Sequence, residues 1–524
     1  MSKLSAVLLA LLLPVLLYSQ QPKYIMGPVS KKPKGGSDFS VLYSSDNETI
    51  LLRGGSSGFG LGVMTTLAIG ITVNFNTLTI EKYDQHFKLV KTVNAKSSFG
   101  RDLLFLGTIE SAGQHYIILA DAGNKQVEIF KAQINTVSLQ LTSAPEKIAT
   151  LDINNKQEDD VVFTWSPDKS KMAFVSRNTK LDKSDKNLSV QVLDKDFKPL
   201  WNSRTALPMG DIHSRAGELS LNNNGDVFML VRKLWSKKES KKHTLDFFYS
   251  LFKVTKSTVK EMPLVYEEYE LNNASVVCLS DKIAVQGYCI ERGEWGMFDD
   301  ATAMYTIVTG YDMAAAPIKA SFFTSAGENM FDPAAKRNPD QPVKETTKIE
   351  TRSKSYYPNG DCLIAAEAIR GGEISNTVNR MTFTHTYAEH SNILLVFIKA
   401  DGTIKYSKRI IKLQTQSDED LYASVVTGWK DNKTIFLYND DKRNPLDKNV
   451  FKTITSDFRN SHLIAATVDE EGNIKKFKCI DNANNETCII PWDCGTVREG
   501  EIIVIGSRFH ALAKTEVQVG KVIF

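Results

Sequence analysis

Charged side chains suited to proton transfer or to holding a charged ligand collect at four places in the chain. These are Arg101-Asp102, Asp159-Asp160, Asp211-Ile212-His213-Ser214-Arg215 with Glu218 behind it, and Glu350-Thr351-Arg352. Each stands at the entrance to an alternating apolar segment. Carboxylates, an imidazole and guanidinium groups held within hydrogen-bond reach of one another are the ingredients of general acid–base chemistry. Left apart, the same residues simply solvate strand ends. Two further runs suit recognition. Lys233-Leu234-Trp235-Ser236-Lys237-Lys238, continuing to Lys241-Lys242-His243, sets an indole among cations and fits an anionic polymer or a phospholipid headgroup, or else forms a solvated hairpin tip. Glu291-Arg292-Gly293-Glu294-Trp295-Gly296-Met297-Phe298 places Trp295 and Phe298 beside charges, an arrangement for stacking on a sugar or anchoring a protein. Its plain alternative is a loop that folds its own aromatics inward. The candidate binding residues are therefore Arg101, Asp102, Asp159, Asp160, His213, Arg215, Trp235, Trp295, Phe298 and Arg352, and no residue is assigned a catalytic or metal-ligating role.

Other chemistries are poorly served. Only His385 and His390 stand close among the eight histidines, and their odd spacing points them to opposite faces of a strand. Asn439-Asp440-Asp441-Lys442 sets two carboxylates side by side, whereas a calcium loop needs alternating ligands and a later glutamate. The six cysteines (278, 289, 362, 479, 488, 494) contain no C-x-x-C spacing, so neither a metal nor a cofactor is expected. Cys479 with Cys488, or Cys488 with Cys494, would close a local disulfide loop; buried free thiols are the alternative reading. The Gly-rich run at 54–62 leads into a strand-like segment rather than a helix, so it reads as a flexible loop and not a phosphate cradle.

The elements that must position these residues are strands. An alternating strand, a tight turn and a second alternating strand recur at 78–90, 127–139, 190–200, 247–259, 305–322, 394–406 and 463–477. A second hairpin fits each interval, at 39–52, 103–119, 161–175, 219–231, 275–288, 355–366, 423–438 and 488–506, with Pro-Asp, Asn-Gly and Asp-Asn pairs supplying turns. The unit is four strands, A to D. Helical periodicity is nearly absent.

Four-stranded antiparallel units repeated in this way resemble a β-propeller of WD-repeat-like or YVTN-like architecture, and the resemblance covers nearly all of the chain beyond its first twenty residues. It is a resemblance of architecture, since serial Gly-His and Trp-Asp pairs are absent and Trp492-Asp493 is the single Trp-Asp. The expected fold is all-β, a single propeller domain over 21–524 with eight four-stranded blades, or seven if one degenerate pair is misassigned. The last unit lacks a D strand, and 23–29 is expected to supply it. The two ends of the chain would then close the ring and leave no free sheet edge.

In such a blade the A–B and C–D turns share one face and the B–C and D–A connections share the other. The long insertions, at 54–76, 178–188, 233–244, 291–304, 325–350, 371–390 and 440–461, all fall in the second group. Binding residues are expected on that face.

Lys3 followed by the apolar run 6–17 and Tyr18-Ser19-Gln20 reads as a signal peptide over 1–20, of an exported Gram-negative type. No later apolar run is long enough to span a bilayer as a helix. With 64 Lys and Arg against 61 Asp and Glu, the formal charge of +3 gives no basis for nucleic-acid binding. The expectation is an exported, non-enzymatic propeller, periplasmic, outer-membrane-associated or secreted. It would act as a monomer or within an envelope complex, presenting its loop-rich face to a protein, glycan or envelope partner. The alternative is a hydrolase or lyase acting on a polysaccharide or peptide at the central funnel.

Overall fold

The computed structural model describes residues 22–31, 38–54, 66–68, 78–95, 103–111, 113–153, 159–178, 188–207, 214–291, 303–322, 344–378, 381–417, 422–450, 452–508 and 516–524. The leader expected over 1–20 lies outside them. The described strands form eight antiparallel sheets in chain order, a β-propeller of eight four-stranded blades. Blade one consists of Asp38–Ser44, Glu48–Gly54, Thr79–Asp84 and Leu89–Asn94; blades two to five start at Leu104, Asp159, Ser214 and Tyr269. Blade six holds Lys344–Tyr356, Cys362–Val378, Met381–Ile398 and Ile404–Ile410, and blade seven Val426–Lys430, Lys433–Asp441, Ser461–Val468 and Ile474–Asp481.

Both faces of each blade are buried, which explains why the B strands read as nearly unbroken apolar runs. In blade one Ile50 and Leu52 pack with Phe105 and Ile117 of blade two, while Leu51 between them packs with Ile503 and Ile505 of blade eight. In blade seven Phe436 and Tyr438 face blade six, and Ile435 and Leu437 face blade eight. Period-two alternation thus sends successive side chains into two different cores. A separate apolar cluster fills every junction between neighbouring blades, including that between blades eight and one.

The ring closes as the sequence predicts. Blade eight takes its A strand from Cys488–Ile489 and Gly495–Arg498, B from Glu501–Arg508 and C from Glu516–Ile523; its D strand is Lys23–Met26, with Lys23 opposite Ile523 and Met26 opposite Gly520. A β-carbon on Gly520 would meet the Ile25 carbonyl oxygen at 2.5 Å, so the close approach of the two chain ends requires glycine there.

Two elements differ from expectation. The D strand of blade two is Glu146–Asp152, not part of 127–139. Asn135 Oδ1 accepts from the amides of Val137 and Ser138, each at 2.8 Å, and Leu139 turns to φ 60°; this polar turn ends the strand before it can fold back. In blade six the segment 371–390, expected as a loop, is paired strand out to Val378 opposite Met381, and Lys344–Tyr356 pairs with it from Lys344 onward. The β-branched content of 374–386 sustains that ladder well past the ring. From the insertion after blade one, Thr66–Ala68 pairs with the inner strand of blade three.

Candidate functional site

The first strands of most successive blades lie against one another and line the axis, so their leading ends form the axial mouth on the face of the B–C and D–A connections. Arg352 belongs to this layer and is nearly buried. Its Nε donates to Glu367 at 2.8 Å, a terminal nitrogen lies 3.0 Å from Glu350, and its guanidinium sits 4.5 Å from the ring centre of Trp492 in blade eight. It is therefore a framework residue facing two carboxylates, not a free cation.

Glu367 is the hub. It lies on strand B of blade six with no solvent exposure. Lys412 lies 2.5 Å from Oε1, His390 Nδ1 3.1 Å from Oε2, and Ser424 donates to Oε2 at 2.9 Å. Burial alone raises a carboxyl pKa, but the charges of Lys412, His390 and Arg352 outweigh it and hold Glu367 well below the ordinary range. Lys412, with burial as the largest influence on it, is pushed below the usual lysine value. Sequence reading missed this group. The available signal was a lone glutamate inside the apolar run 363–369.

The network continues toward blade eight. Lys412 Nζ donates to Gln414 at 2.7 Å, Gln414 donates to the Asn439 carbonyl at 2.7 Å, and Asn439 donates to the Tyr422 and Ile489 carbonyls, both at 2.9 Å. Asn482 donates to Asn439 Oδ1 at 2.9 Å and to Ser461 at 2.8 Å. These bonds fix the D–A connections that flank blade seven.

Above them opens a cleft of about 980 Å³. Its walls come from Thr415, Gln416 and Tyr422 between blades six and seven, the B–C loop 456–460, the connection 482–488 and the end of strand B in blade eight at Ser507 and Arg508. Apart from the strand ends at Cys488, Ser507 and Arg508, all are B–C or D–A segments. The lining is dominated by amides and hydroxyls, with Asn460 and Asn484 exposed, a half-buried Tyr422 supplying aromatic surface over the buried Phe458, and Asp457, Glu486, Arg459 and Arg508 supplying charge. A short 3-10 turn, Phe458–Asn460, is capped by Asp457 and sets the loop's shape. The Asn-rich string 481–486 was the unused sequence signal here.

The remaining candidates do not converge with this cleft as a group. Arg101, Asp102, His213, Trp295 and Phe298 lie outside the described residues. Asp159 and Asp160 open the inner strand of blade three, where Asp160 pairs with Ala68, and Arg215 is on the inner strand of blade four opposite Arg232. Trp235 packs within its own loop, 3.9 Å from the parallel ring of His243 and 4.3 Å from Phe248. Glu270 anchors that loop by accepting from the amides of Thr244 and Leu245 at 3.0 and 2.6 Å. Lys237, Lys238, Lys241 and Lys242 point to solvent.

All six cysteines are buried free thiols, so neither local disulfide forms. Burial pushes Cys278, Cys362 and Cys479 up to about 12. Among the described residues no helix is long and apolar enough to cross a membrane, and no group of three or more His, Cys, Asp or Glu is placed to hold a metal ion.

No family model matches the chain, and no curated protein sequence matches it. Among solved structures it is similar to the polysaccharide lyase Uly1, at 11% identity and TM-score 0.36 over 80% of this chain and 89% of that one. An ulvan lyase from a new family of polysaccharide lyase gives 7% identity and TM-score 0.34 over 63% and 75%. A prolyl endopeptidase gives 9% and 0.30 over 80% and 55%. Likenesses of this degree carry no argument about activity.

Proposed function

We propose that the protein is an exported, non-enzymatic propeller that binds a glycan in the cleft between blades seven and eight. The observation that carries this reading is the cleft itself: about 980 Å³ of space, walled by side-chain amides, hydroxyls and the half-buried ring of Tyr422, among the B–C and D–A connections. Such walls match a ligand with many hydroxyl groups and apolar ring faces, because amides both donate and accept while aromatics cover C–H surface. The buried network beneath holds the walls in place before ligand arrives, which lowers the ordering cost of binding. Export rests on the leader-like run 6–17.

A glycan array probed with the chain lacking residues 1–20 tests the reading. Retention of a glycan class without bond cleavage supports it; turnover of a polysaccharide or peptide in a hydrolase and lyase screen, with no retained ligand, overturns it. The enzymatic alternative draws on Asp457, Glu486 and Arg459, which place carboxylates and a cation around the same cleft.

A further inference from the structure

Trp492 occupies an unusual position for a large apolar side chain. It sits in the turn Pro491–Asp493, between the two short pieces of blade eight's innermost strand, and both of its neighbours in that turn are buried while the indole is 39% exposed. Backbone bonds from Asp493 to the Ile490 carbonyl at 3.1 Å and from Cys494 to the Pro491 carbonyl at 3.2 Å hold the turn closed. The indole is thus displayed at the axial mouth by a rigid turn.

Its partner comes from two blades away. The Arg352 guanidinium covers the ring at 4.5 Å and is itself locked between Glu350 and Glu367. With the guanidinium over the ring, the part of Trp492 that stays exposed is what a ligand can reach. A cation over the ring draws on the same π density that a second cation would need, so the exposed part is poorly suited to an ammonium ligand. It remains suited to the weakly polarised C–H face of a pyranose ring. Because the guanidinium already faces two carboxylates, it adds no attraction for an anion.

The same segment joins the mouth to the cleft. Cys488 lies on the cleft wall and Trp492 follows four residues later on the same inner path, and the Glu367 network reaches that path at the Ile489 carbonyl and, through Arg352, at the Trp492 ring. We infer that Trp492 is a second, sugar-stacking subsite that takes a further ring of an oligosaccharide seated in the cleft. This rests on the glycan reading of the cleft and adds to it a preference for chains long enough to reach the axis. The gain is one of effective concentration: the ring that reaches Trp492 is already tethered.

The test titrates the full mature chain with length-graded ladders, two to eight rings, of a neutral β-glucan, a uronan and a sulfated glycan. The wild type is expected to bind one ladder with affinity rising about tenfold beyond a threshold length. Trp492→Ala is expected to keep the short-chain affinity and lose the rise, and Trp492→Phe to retain part of it with an unchanged melting temperature. A wild-type rise that survives intact in both variants overturns the subsite while leaving the cleft reading standing. Absence of binding to any ladder by the wild type overturns both.

Discussion

The ammonium group of Lys412 lies 2.5 Å from Oε1 of Glu367, and neither side chain is exposed to solvent. Glu367 comes from the second strand of blade six, and Lys412 from the chain leaving that blade toward the seventh. Ser424, just before blade seven begins, donates to the same carboxylate at 2.9 Å. One buried carboxylate therefore ties the end of a blade to the start of the next, directly beneath the cleft.

Removing that carboxylate leaves Lys412 and Arg352 buried with like charges near each other. Glu367→Ala is expected to destabilise the protein by about 3–5 kcal/mol, the usual cost of breaking a buried pair from one side. A lowered urea midpoint measures this; a midpoint equal to the wild type's would show that the cluster is incidental.

The depressed pKa of Glu367 sets the sign of an acid effect. Its stabilising contribution is fully present above the ordinary carboxylate value of 4.5 and is lost as pH falls through the lower folded value. Melting temperatures recorded downward from pH 5 should fall more steeply for the wild type than for Glu367→Gln. Parallel acid limbs would contradict the assignment.

Ring closure makes a separate prediction. Gly520 has Ile25 and Met26 against it, so Gly520→Val should force Lys23–Met26 off the sheet and expose the edge of Glu516–Ile523. Light scattering should report self-association at concentrations where the wild type stays dispersed. An unchanged profile would mean that the closing strand is dispensable.

The architecture was largely legible because each blade buries both faces, and this leaves a strong local pattern of alternation and turns. The predicted hairpins at 39–52 and 463–477 match the paired strands closely. Blade two's last strand was misplaced because the Asn135 turn is a side-chain device that alternation does not report. The extension of blade six looks like a loop in the sequence because its Gly371-Gly372 pair and the polar run 375–380 interrupt the apolar pattern between its two strands. The cleft was legible only as a face. Its walls come from segments spread between Thr415 and Arg508, and Glu367 acquires its partners through long-range pairing, which no local window contains. Arg352 was named from its position at a strand entrance, yet its role became clear only with Glu367 and Trp492 beside it.

The thiols give a further check. All six are buried and none is paired, so Ellman's reagent should label the native protein negligibly and release six equivalents after denaturation. Fewer than six under non-reducing denaturation would reveal a disulfide and contradict the packing.

The most direct test of the glycan-binding cleft is calorimetric titration with the glycan class retained on an array, comparing the wild type with a double variant, Asn460→Ala and Asn484→Ala. Both amides are exposed on the cleft wall, and each lost hydrogen bond is worth about 1 kcal/mol. The account predicts affinity at least about tenfold weaker in the double variant with an unchanged melting temperature. Equal affinity in the two proteins, or turnover with no retained glycan, would contradict it.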